Sequence, residues 1–293
     1  MRIHTIQTGT VAVKSRQPAG VGRSGRSRLL RTMLGRNWTE PLPIFAWLIE
    51  HPEGLILVDT GETSRVAEPG YWGWHPYFRL GVREQVTPED EVGPRLRQLG
   101  FDPIDIRWVV LTHLHTDHAG GLAHFPASEI LMSDSELRDA SGIRGRLSGY
   151  LPQRWPEWLN PTTVGFSEGA VGPFPASRAL TRAGDVVLVP TPGHTVGHLS
   201  VIVHEAEQDV FIAGDTSYTQ QLMLDGVVDG VAPDPTAAAL TLERIREHLR
   251  LRPTIYLPSH DPDSRRRLGL RIAASPPHAS PAMGLFNPER SKA

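Results

Sequence analysis

No cysteine occurs among the 293 residues, which rules out disulfides, thiolate metal sites, iron–sulfur clusters and a cysteine nucleophile. Excess charge of either sign is missing as well. Thirty Lys and Arg stand against 32 Asp and Glu, a formal −2, so there is no broad positive field and no nucleic-acid partner is expected. Long apolar runs are also absent. The best candidates, RWVVLT and DVVLVP, are strand-sized, well short of the roughly 18 residues of a membrane span. The opening MRIHTIQTGT lacks the apolar stretch of a secretory leader. The expected setting is therefore the cytoplasm, without stable membrane association.

What is plentiful is turn chemistry and imidazole. Twenty-eight glycines and 26 prolines point to many loops rather than a helical bundle. With 13 histidines and no cysteine, any metal site must be built from imidazole and carboxylate.

Short apolar runs alternate with helical patterns along the whole chain, which predicts an α/β protein in one domain. FAWLIEH (45–51) and GLILVDTG (54–61) read as a hairpin around His-Pro-Glu-Gly. A helix with an acidic first turn is predicted over 88–99, closed by Gly100. Strands follow at 106–112, 129–133, 185–194, 199–205, 209–215 and 254–261, with a helix over 235–249. The domain is expected to span 1–272, leaving a Pro/Ser-rich tail at 273–293 that is expected to be poorly ordered. Residues 14–36 carry seven basic residues and no acidic one. They read as a surface insertion folded onto its own domain. Leu29, Leu30, Met33 and Leu34 fall on one helical face, so the part from 23 to 38 is expected to border a substrate entrance or a homodimer contact.

The chemistry concentrates where strands end. His113-Leu114-His115-Thr116-Asp117-His118 directly follows the run 106–112. His113 and His115, two apart on extended chain, point the same way, whereas Asp117 and His118 lie beyond the turn. One peptide can therefore serve two neighbouring metals. His194 follows a strand in TPGHTVGH, Asp215 ends DVFIAGD and His260 ends TIYLPSH. Four strand ends delivering imidazole or carboxylate suggest one site at one sheet edge.

HLHTDH with downstream His194, Asp215 and His260 resembles the metallo-β-lactamase superfamily pattern H-x-H-x-D-H…H…D…H, and GLILVDTG resembles that family's early strand. The resemblance implies a four-layer αβ/βα sandwich with two divalent metals, zinc first, with Fe, Mn or Co as alternatives. It implies that His113, His115 and His194 hold one metal, that Asp117, His118 and His260 hold the other, and that Asp215 bridges them. Asp59 and His198 are expected to orient ligands from behind. Tyr218, three residues after Asp215, resembles the tyrosine that faces the substrate carbonyl in N-acyl homoserine lactone lactonases. The aromatic run Tyr71–Phe78, with Trp155 and Trp158, is expected to wall an acyl groove.

The function so implied is opening of the lactone ring of N-acyl homoserine lactones by a metal-bridging hydroxide. Tyr218 would hold the oxyanion and Asp117 would give the leaving alkoxide its proton. Another small-ester or organophosphate hydrolase on the same site is the alternative. The expected partner is thus a small-molecule lactone or ester.

Overall fold

The structure is a computed structural model that describes residues 1–275; the remainder of the expected tail lies outside the described residues. Its first half forms β1 (Arg2–Val13), β2 (Leu42–Glu50), β3 (Leu55–Val58), β4 (Val82–Gln85), β5 (Ile106–Val110), β6 (Glu129–Ser133) and β7 (Thr162–Val164). These make one sheet in the order β4-β1-β2-β3-β5-β6-β7. The second half forms β8 (Arg178–Ala179), β9 (Val186–Pro190), β10 (Leu199–His204), β11 (Asp209–Gly214) and β12 (Thr254–Pro258), a second sheet in the order β12-β11-β10-β9-β8.

Period-two alternation explains the layers, because each strand sends successive side chains to opposite faces. Val210 and Ile212 of β11 enter a core between the sheets, where they meet Trp47, Val58 and Val110. Their neighbours Phe211 and Ala213 face outward onto Leu242 and Ile245 of the helix Pro235–Leu251. On the other side Leu48, Leu57 and Val109 pack against Leu96, Leu122 and Phe125. Helix, sheet, sheet, helix is the expected four-layer sandwich. Strands buried on both faces read as unbroken apolar runs, which is why β9 to β12 stand out in the sequence.

Three local features depart from the sequence pattern. The 12-residue β1 carries no long apolar run: its buried Ile6, Val11 and Val13 are spread among polar and small residues, so local pattern does not mark it as a strand. The helix expected over 88–99 is two pieces, a 3-10 turn Pro88–Asp90 and a helix Val92–Gln98. They break at Glu91, which is extended (ψ 150°) so that its carboxylate can receive the Ser64 amide at 2.8 Å and the His124 ring at 2.7 Å.

The third concerns 14–36. The insertion is held to the domain and its helix α1 (Gly25–Met33) borders the cavity through Leu29, but an apolar face does not fasten it: Leu30 and Leu34 are 60% and 72% exposed, and Thr32 is the buried residue. Backbone contact does the packing. Gly230 N–H donates to the Gln17 carbonyl (2.7 Å), Gly20 N–H donates to Val228 O (2.9 Å), and Arg28 donates to both the Gly20 and Val228 carbonyls. A Cβ on Gly230 would stand 2.2 Å from Thr32 Oγ1, so only glycine permits this approach. The segment is a strap fastened to 228–230.

Among the described residues no helix is long and apolar enough to cross a membrane.

Candidate metal centre

The strands end before the chemistry begins. β5 stops at Val110, β9 at Pro190, β11 at Gly214 and β12 at Pro258, so His113, His194, Asp215 and His260 all sit in the loops just beyond. Gly214 turns with φ +57°, and a Cβ there would lie 2.6 Å from His198 Nε2; glycine is what lets Asp215 follow the strand so closely. A short helix Thr116–Ala119, starting at His115, carries Asp117 and His118 to the far side of the turn.

All seven residues meet. His115 Nδ1 lies 3.0 Å from His113 Nε2 and 3.1 Å from His194 Nε2. A tetrahedral zinc with Zn–N near 2.0–2.1 Å would set its donors about 3.3 Å apart. The second nest is Asp117, His118 and His260, with His260 Nε2 3.3 Å from Asp117 Oδ2. Asp215 lies between the two: its Oδ1 is 3.3 Å from His118 Nε2, and its Oδ2 is 3.2 Å from His260 Nε2 and 3.5 Å from His194 Nε2. His118 Nε2 and Asp215 Oδ1 are buried and make no hydrogen bond. Orphaned donors this deep need a partner, and a cation is the partner both could accept. The residues fit two divalent metal ions.

Electrostatics point the same way. Burial pushes the His115 imidazole down to about 3, with His194 adding to the effect, so it is a neutral donor. Burial opposes charge on His260 too, but Asp215 and Asp117 overcome it and lift the ring to about 10. Burial works to raise Asp117, yet His118 and His260 hold it at about 2. The anions draw protons onto neighbouring imidazoles, and cations would replace those protons.

His118 and His260 are aimed from behind. Asp59 Oδ2 lies 2.8 Å from His118 Nδ1, and its two oxygens also receive the Thr112 amide and hydroxyl at 2.8 and 2.9 Å. His260 Nδ1 faces the Pro43 carbonyl at 2.9 Å. His198 acts on the main chain instead: its Nε2 accepts the Asp215 amide at 3.0 Å while Nδ1 bonds Thr191.

Two partners are absent from the sequence reading. Asp229 lies 3.2 Å from His194 Nδ1 and also caps the Val231 and Ala232 amides at 2.7 Å. The wholly buried Glu136 accepts the Leu114 amide (2.9 Å) and Tyr150 hydroxyl (3.1 Å) on one oxygen. On the other it accepts the Thr195 hydroxyl (2.7 Å) and Gly197 amide (3.1 Å). It thereby ties the His113–His115 loop to the His194 loop. Nothing in the sequence around Glu136 or Asp229 marks them, because their partners lie tens of residues away. In Glu136→Gln an amide N–H must face one of four donors. Metal affinity should fall about ten- to a hundredfold, measured by competition with a graded chelator; unchanged affinity would show that the two loops hold without the tie.

The donors floor a cavity of about 390 Å³, lined also by Val11, Val13, Leu29, Phe78 and Val82. Of the expected aromatic wall, His75, Tyr77 and Phe78 line it. Trp72 instead stacks behind Phe78 (4.8 Å), Trp155 packs under the first sheet, and Trp74 and Trp158 are exposed. Packing of the two long loops claims Trp72 and Trp155, and the other two face solvent.

Tyr218 is buried on the cavity wall, its ring stacked on His260 (centroids 5.5 Å, 23°). Burial, with Tyr77 and Asp215 adding, lifts its phenol well above the ordinary range, so it stays protonated and able to donate. A carboxyl pair, Glu62 and Glu84, lies on another side. Burial lifts Glu62 to about 7, and burial together with the Glu62 charge lifts Glu84 well above the usual range, so the pair holds a proton. An acid raised in the folded state favours folding below its unfolded value of about 4.5 and loses that contribution as pH climbs through about 7. Glu84→Gln should therefore raise Tm at pH 8 by about 2–4 °C and change it little at pH 5, read by calorimetry at both values. A fall at both would mean the pair is not strained.

Comparison with known proteins bears on this geometry. Residues 39–260 match the metallo-beta-lactamase superfamily. A probable metallo-hydrolase of Mycobacterium tuberculosis is 34% identical over 188 residues, 62% of this chain, and the match spans only 58% of that protein's length. An N-acyl homoserine lactonase of Bacillus thuringiensis is 30% identical over 223 residues, covering 75% of this chain and 82% of the relative. A solved N-acyl homoserine lactone hydrolase with N-hexanoyl-L-homoserine at its catalytic metal center shares the fold at TM-score 0.73, with 24% identity over 90% of this chain and 94% of that one. The chain is a member of the metallo-β-lactamase superfamily.

Proposed function

We propose that this chain is a dinuclear metal-dependent hydrolase that opens the lactone ring of N-acyl homoserine lactones. The observation that carries the reading is the convergence of seven donors into two adjoining nests, five of the seven lining a largely apolar cavity, with a protonated tyrosine hydroxyl beside them. The relationship to the Bacillus lactonase supports it. His113, His115 and His194 would hold one ion, Asp117, His118 and His260 the other, and Asp215 both. Two divalent cations held there would supply hydroxide near neutral pH and polarise an ester carbonyl.

The chain's own groups do the rest. The Tyr218 hydroxyl donates to the carbonyl oxygen as it becomes anionic. Asp117, held as an anion on the second nest, takes the proton of the added hydroxyl group and passes it to the departing alkoxide, so the ring opens to a carboxylate and an alcohol. Val11, Val13, Leu29, Phe78 and Val82 take the acyl chain. Zinc is the proposed metal, from the imidazole-rich donor set, and the proposed setting is the cytoplasm, where the activity would quench acyl homoserine lactone signals.

The test is metal analysis joined to a hydrolysis screen. Homoserine lactones of short to long acyl chain should turn over, and a β-lactam, a thioester and a phosphodiester should not. Turnover of a control in preference to every lactone would overturn the reading.

A further inference from the structure

Gln17 is two per cent exposed, yet it belongs to the strap and faces the reaction cavity. Its Nε2 donates to the Tyr218 hydroxyl at 2.7 Å and to the Tyr77 hydroxyl at 2.8 Å. That uses both amide hydrogens. Its Oε1 is buried and has no partner among the described residues. An acceptor left dry at this depth is unfavourable, so it is expected to meet a donor in the working enzyme. The backbone cannot swing it away, since the Gln17 carbonyl is fixed by Gly230 N–H and its amide by Lys14 O at 2.7 Å.

We propose that Gln17 reads an N–H carried on the carbon next to the scissile carbonyl, which makes it a specificity residue for α-amido lactones and esters. This rests on the lactonase reading and deepens it.

Two geometric consequences support the assignment. A tyrosine oxygen that accepts from Gln17 keeps its own hydrogen for another acceptor. Gln17 therefore leaves the Tyr218 hydrogen free for a carbonyl oxygen. Gln17 and Tyr218 both line the cavity, and the unpartnered Oε1 and the Tyr218 hydroxyl are attached to the same hydrogen-bonded amide, so its wall holds an acceptor and a donor a few ångströms apart. An α-amido ester presents the complement: a carbonyl oxygen and, one carbon away, an N–H. A plain ester or a phosphoester leaves Oε1 dry. A site built around such an acceptor rejects analogues lacking the donor far better than an apolar wall could.

The first arm of the test needs no variant. Wild-type enzyme is given N-hexanoyl homoserine lactone and the same lactone with the amide nitrogen methylated or replaced by CH₂. The proposal expects kcat/KM to fall about ten- to fiftyfold for both analogues. In the second arm Gln17→Met keeps the length and loses both polar atoms. It should lower kcat/KM about tenfold or more for the N–H substrate, and should bring the CH₂ analogue to within about threefold of it. Metal content and Tm are recorded for both proteins, to separate substrate reading from a damaged fold. Equal wild-type rates on the N–H and CH₂ compounds would overturn the proposal, as would an equal loss on both in Gln17→Met, which would make Gln17 a support for Tyr218 alone. If neither lactone turns over in the metal-loaded wild type, it is the lactonase reading that fails.

Discussion

Asp215→Asn should lower kcat/KM by roughly 10³-fold or more and take bound metal from about two ions per chain to one or fewer, a larger effect than the ten- to hundredfold typical of an outer partner. The reason is position. Among the described residues no other side chain has carboxylate oxygens within 3.5 Å of imidazoles from both nests. Burial works to raise this carboxyl, but His260 and His118 hold it well below the usual carboxylate range, so it is anionic when metals arrive. Asparagine has the same shape, one charge fewer, and an N–H₂ that repels a cation. The main chain is untouched, because the Asp215 amide still donates to His198 and Gly214 still makes its turn. Circular dichroism should therefore match wild type while metal analysis does not. Two retained ions with full turnover would show that Asp215 does not bridge.

The second large effect is expected at Tyr218. Its hydroxyl acts on charge that develops only as the carbonyl is attacked, so its loss should lower turnover more than it raises KM. Removing one such donor costs on the order of 10²-fold where donors act alone; a cation sharing the oxygen should bring this to roughly ten- to a hundredfold in kcat. Tyr218→Phe keeps the ring on His260 and leaves metal content unchanged. It also leaves one Gln17 N–H without a partner, at a stability cost of about 1–2 kcal/mol. Turnover at the wild-type rate would leave Tyr218 a packing residue.

How much of this the sequence discloses follows from distance along the chain. The candidate metal donors are legible because they follow apolar strands, and a strand both of whose faces are buried is a plain signal. His113 to His118 lie within six residues, so their pairing can be argued from backbone geometry alone. Asp59 is legible for the same reason, ending the run LILVD. Glu136, Asp229 and Gln17 are not. Glu136 earns its place through Gly197, 61 residues away, and Gln17 through Tyr218, 201 residues away. Local pattern holds no trace of such contacts. The packing of α1 is illegible for another reason: four apolar residues at helical spacing say that a helix has an apolar face, but not what that face meets, and of the four Leu29 lines the cavity. Here glycines at 20 and 230 let backbone meet backbone, so the leucines were never needed to hold the strap down.

The two nests also lie across a seam. His113, His115, Asp117 and His118 extend from β5 of the first sheet, whereas His194, Asp215 and His260 extend from β9, β11 and β12 of the second. Each nest takes donors from both, so each ion would bind the two halves of the chain to one another. Secreted proteins staple distant segments with disulfides; this chain, which has no cysteine, would have its staples only while metal is present. Loading would then stabilise the assembled sandwich in proportion to the free-ion concentration, and stripping would first loosen the edge where the two sheets share the catalytic loops.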